Sequence, residues 1–70
     1  MNETYVMEYY LPNQSHLFSA PQRVVIMGIE TLREKVGIAQ KHGYDIIAAY
    51  EVYDEGVFHP INIPSLIANL

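Results

Sequence analysis

Seventy residues with a formal net charge of −4, half of them hydrophobic and 17% charged, describe one domain spanning residues 1–70. The chain is too apolar and too weakly charged for disorder, yet so short that folding buries only roughly 60% of the surface the unfolded chain exposes. Cysteine is absent, which excludes a disulfide framework and a thiolate metal site and leads us to expect a reducing, cytoplasmic setting.

Only Arg23, Arg33, Lys35 and Lys41 are basic. That is far short of the basic stripe nucleic acid requires, so no direct DNA or RNA binding is expected. Met1-Asn2-Glu3-Thr4 lacks the basic start of a signal peptide, and no apolar run approaches the roughly 20 residues of a membrane span. A soluble chain without a membrane partner is expected.

In chain order, Thr4 to Leu11 is rich in tyrosine, ends at Pro12 and reads as a first strand. Arg23 to Ile29, with its β-branched run Val24-Val25-Ile26, reads as a second strand pairing antiparallel with the first. Residues 12–22 between them form a long connection for so small a domain, and loops of that length are often functional. Leu17 and Phe18 in its middle either fold back as a plug on the core, the preferred reading, or project as an apolar anchor for a partner.

Thr31-Leu32-Arg33-Glu34 matches a capping box and predicts a helix over residues 32–42, with Leu32, Val36 and Ala39 on its buried face, Ile38 widening that apolar stripe, and Gly43 as its stop. Tyr44 to Tyr53 is a third strand that is apolar on both faces: Ile46, Ala48, Tyr50 and Val52 alternate with Ile47, Ala49, Glu51 and Tyr53. A half-exposed strand would alternate more cleanly. One side can face the helix, and the other needs the C-terminal segment or a second molecule as cover. Asp54-Glu55-Gly56 is a tight turn into a short fourth strand at Val57-Phe58-His59, and Pro64 fits the first turn of a short terminal helix. The order ββαββ gives an α+β fold, one antiparallel or mixed sheet packed on one helix, with room for that short C-terminal helix.

By size and element order over about residues 4–59, the chain resembles small proteins encoded by phages and other mobile elements, including some anti-CRISPR inhibitors. The resemblance implies a protein that binds and blocks a host protein. It carries no diagnostic motif and transfers no functional residue.

The chemistry-bearing residues form no catalytic signature. His16, His42 and His59 make no HxH, HxxH or HExxH pair, so neither a metal nor another cofactor is expected. No serine sits in a nucleophile elbow, and Asp54 and Glu55 occupy an exposed turn unsuited to acid–base work. Glu51, Asp54 and Glu55 are also too few to mimic a phosphate backbone and read as a solvated turn.

Six tyrosines with no tryptophan are the stronger signal. Tyr5, Tyr9, Tyr10, Tyr50 and Tyr53 fall in strand-like runs, where rings with one polar tip suit a surface covered by another molecule. Aromatic residues also pave sheets without any partner. The expected function is therefore a non-enzymatic protein-binding module acting by steric blocking, with Tyr5, Tyr9, Tyr10, Leu17, Phe18, Tyr50 and Tyr53 as its anchors. The alternatives are a homodimeric structural subunit and a small enzyme using His16 or His59.

Overall fold

The tyrosine-rich run and the Val24-Val25-Ile26 run do pair as antiparallel strands in the computed structural model, which describes residues 3–68. In chain order the elements are β1 (Thr4–Tyr10), β2 (Gln22–Met27), α1 (Ile29–Lys41), β3 (Asp45–Val52), β4 (Phe58–Pro60) and α2 (Ile63–Ile67). The four strands form one sheet in the order β2-β1-β3-β4, antiparallel at every pairing. The fold is α+β, with the sheet on one side and the helices on the other. The molecule measures 36 × 28 × 16 Å, and the shortest extent admits no third layer beside a sheet and a helix, which pack about 10 Å apart.

Side-chain alternation decides what lies beneath the helices. Tyr5, Met7 and Tyr9 point to one face of β1, where Tyr5 and Met7 form the core with Ile26 of β2, Leu32 and Val36 of α1 and Leu66 of α2. Tyr9, Ile29, Ile46, Ile61, Ile63 and Ile67 pack around this cluster. Both helices therefore serve the same face. The C-terminal segment does not supply the cover expected for the second face of β3.

The helix begins three residues earlier than the Thr31 box predicts. β2 passes into α1 through the single residue Gly28, whose φ of 89° lies where side chains other than hydrogen are strained. Its N–H donates to the Glu3 carbonyl at 2.8 Å, and its own carbonyl accepts from Leu32 N–H at 3.1 Å. No side chain caps this end, so Thr31 is an exposed residue inside the first turn and the capping box is not used. Glycine at position 28, not threonine at 31, sets the entry angle. Gly28→Ala is expected to cost about 1–2 kcal/mol for forcing a Cβ into that conformation, while Thr31→Ala stays within about 0.5 kcal/mol of the parent. Urea unfolding of the two variants checks this, and the reverse order of effects would restore the capping box.

The remaining boundaries follow local chemistry. Gly43, φ 80°, ends α1 in a Schellman arrangement, with Tyr44 N–H on the Ala39 carbonyl at 2.9 Å and Gly43 N–H on the Gln40 carbonyl at 3.1 Å. Gly56, φ 79°, closes the β3–β4 turn by donating to the Tyr53 carbonyl at 2.8 Å. Asn62 caps α2 by accepting from Ser65 N–H at 3.0 Å, with Pro64 in the first turn.

Candidate functional site

The face of the sheet away from the helices has no covering layer among the described residues. Strand register places Thr4, Val6, Glu8 and Tyr10 of β1 on it, between Arg23, Val25 and Met27 of β2 and Ala48, Tyr50 and Val52 of β3. Phe58 and Pro60 of β4 continue it beyond Val52 and Tyr50. Val6 is buried all the same, because Val25 and Tyr50 flank it on either side. The flanking strands are open: Val25 is 63% exposed, Met27 52% and Phe58 44%. Tyr50 and Phe58 lean together with ring centroids 5.6 Å apart.

Glu8 is buried in the middle of this face. Arg23, its cross-strand neighbour, answers the charge: both Nε and Nη2 donate to Glu8 Oε2, the former at 3.0 Å. A carboxylate in the centre of a sheet is tolerable only when paired in this way.

The loop of residues 11–21 is fastened to the same face at its Tyr10 end. The His16 ring stacks on Tyr10 with centroids 3.9 Å apart, and His16 Nε2 lies 3.1 Å from Asp45 Oδ2. Gln14 adds a local clamp, accepting from Leu11 N–H at 2.9 Å. Leu17 and Phe18 follow directly and project at 86% and 89% exposure. They do not plug the core, because the helices and the sheet already fill it and the tether at His16 holds the loop away from it.

The tyrosines separate by face, and this corrects the anchor set. Tyr5 is core, buried under both helices. Burial first, then the Glu3 and Glu51 carboxylates, hold its hydroxyl above the ordinary value of 10.0. Tyr9 also lies on the helix side, half-buried and stacked on Tyr44 at 5.5 Å. Tyr10 is on the open side but buried beneath His16. All three rings are covered within the fold, wholly or in part. Tyr50 is half-buried on the open face, and Tyr53 lies at the β3–β4 end against His59, with centroids 4.0 Å apart.

Neither imidazole named as a catalytic candidate lines either of the two clefts described below. His16 orients a loop through Asp45, with both side chains about half exposed, and His59 rests on Tyr53. No group of three or more His, Asp or Glu side chains among the described residues could hold a metal ion. Glu51, Asp54 and Glu55 do converge with Glu3 around an open cleft of about 370 Å³, an acidic rim that the turn alone did not reveal. A narrower, apolar cavity of about 230 Å³ lies on the helix side, between α1 and β2.

No helix is long and apolar enough to cross a membrane among the described residues. Compared with protein-family models, characterised proteins and solved structures, the chain matches none.

Proposed function

We propose that this chain is a non-enzymatic protein-binding module that works by steric occupation, presenting its helix-free sheet face and the adjoining Leu17–Phe18 loop to a partner protein. The observation that carries this reading is the co-location of two apolar surfaces. The sheet face exposes Val25, Met27 and Phe58, with Tyr50 half-buried against Phe58, and the loop fastened to it at Tyr10 exposes Leu17 and Phe18. Large apolar side chains left exposed on one side of a domain mark interaction sites, and buried aromatic and aliphatic anchors dominate interface energetics. The resemblance in size and element order to small host-blocking proteins points the same way. The anchors are Leu17, Phe18, Val25, Met27, Tyr50 and Phe58.

The test compares proteins retained from host lysate by the parent chain with those retained by Phe18→Asp and by Met27→Asp, each first checked by circular dichroism. Both positions are exposed, so the fold should persist. A partner lost with both variants supports one binding surface made of loop and sheet, with a loss of at least tenfold in affinity for a central anchor. Retention unchanged by either substitution would remove this surface from the function. Light scattering on the same samples shows whether the partner is a second copy.

A further inference from the structure

The cavity on the helix side differs in chemistry from the rest of the surface. Leu32 and Val36 of α1 meet Leu66 of α2 in the core, and a gap remains between α1 and β2. Met7, Tyr9 and Val24 form the floor of this gap, Ile38 its helical wall, and Lys35 and His42 line it as well. Lys35, Ile38 and His42 recur at spacings of three and four, so they share one flank of the helix. Lys35 and His42 are two turns apart, about 10 Å along the axis.

Charge sets this groove apart. The chain has eight carboxylates against four Lys and Arg side chains, yet none of those eight lines the cavity. Neither Lys35 nor His42 belongs to an ion pair among the described residues; the pairs join His16 to Asp45, Arg23 to Glu8 and Arg33 to Glu30. The other cleft, in contrast, is walled by Glu3, Glu51, Asp54 and Glu55. An apolar trough with an ammonium outside any ion pair at its rim, in a chain of net charge −4, is complementary to one class of ligand.

The geometry points to a binding site for a small alkyl monocarboxylate, its chain lying on Met7, Tyr9, Val24 and Ile38 and its carboxylate against the Lys35 ammonium. At about 230 Å³ the cavity is smaller than pockets that hold drug-sized ligands, about 300–1,000 Å³, which restricts the chain to a medium length. The walls, largely aliphatic with the Tyr9 and Tyr44 rings, favour an apolar chain over a polar body. This site lies on the opposite side of the sheet from the protein-binding face and is independent of it.

Octanoate is the probe. Amide spectra of the full ¹⁵N-labelled chain, titrated with sodium octanoate, are expected to show saturable shifts at Val24, Ile38 and His42, with a dissociation constant on the order of a millimolar for so few buried atoms. Shifts at Leu17 and Phe58 should stay small. Lys35→Glu should weaken binding at least tenfold, Lys35→Arg should keep it within about threefold, and octanol should bind at least fivefold more weakly than octanoate, as expected for a charge-assisted contact. Shifts centred on the open sheet face, no saturation, equal binding of octanol, or unchanged affinity in Lys35→Glu would each overturn the site. Lys35 is exposed; should Lys35→Glu fail to fold, Lys35→Gln makes the same decision.

Discussion

Leu32→Ala is expected to remove a large part of the protein's folding free energy at 25 °C. Leu32 has no exposed surface and sits where α1, α2 and the sheet meet. Truncating a fully buried leucine costs about 2–5 kcal/mol, the upper part of that range applying where the surroundings cannot collapse into the gap. The Leu32 site is bounded by the sheet on one side and by α2 on another, so collapse is limited. Against this, 70 residues at about 0.05–0.15 kcal/mol each give a total stability of about 4–10 kcal/mol. One methyl-rich side chain thus carries a large part of the whole. Leu17→Ala, the same substitution in a residue 86% exposed, should shift stability by no more than about 0.5 kcal/mol. Urea titrations followed by circular dichroism compare the two directly. Equal midpoints for Leu32→Ala and Leu17→Ala would show that the core is not centred on Leu32.

The second large effect is a charge left without its partner. In Arg23→Met the Glu8 carboxylate keeps its place in the middle of the sheet but loses both guanidinium donors. Breaking a buried ion pair from one side costs about 3–5 kcal/mol. Arg23 itself is largely solvent-facing, so screening and water access reduce this to about 2–3 kcal/mol. Replacing both residues, Glu8→Met with Arg23→Met, removes the orphaned charge and should return the protein to within about 1 kcal/mol of the parent. A double-mutant cycle by urea unfolding reads the coupling. Simple additivity of the two single costs would mean that the pair contributes nothing as a pair.

The parts of the fold legible in the sequence were those decided by neighbours along the chain. Alternation put Tyr5 and Tyr9 on one side of β1 and Tyr10 on the other, because the side-chain period of a strand is two whatever it packs against. Gly43 and Gly56 marked their turns because each supplies a positive φ that few other residues accept. The α1 stripe of Leu32, Val36 and Ala39 was likewise fixed by helical period, and all three are buried, whereas Ile38, expected to widen it, is exposed.

What the sequence did not reveal depends on residues far apart in it. Thr31 and Glu34 have the spacing of a cap, but the helix end was settled by Gly28 meeting Glu3, a contact across 25 positions. The side of the sheet that the helices take is a tertiary choice. For that reason Tyr5 passed for a surface anchor although it is core. The His16 tether needed Tyr10 and Asp45 at once, and without it Leu17 and Phe18 had no reason to stand clear of the core. The groove beside α1 could not be inferred either, because Lys35 and His42 acquire a shared apolar floor only when Val24 and Tyr9 are brought beneath them.

The position of β1 has a consequence for how the chain reaches this structure. The first strand made is an inner strand, hydrogen-bonded to β2 on one side and to β3 on the other, with Thr4 opposite both Met27 and Val52. A chain emerging from the ribosome can form the β1–β2 hairpin early, but one long edge of β1 stays bare until Val52 has been made. Closing so long a loop costs entropy before its contacts reward it, so the hairpin should spend its brief early life with the tyrosines of β1 uncovered on both faces.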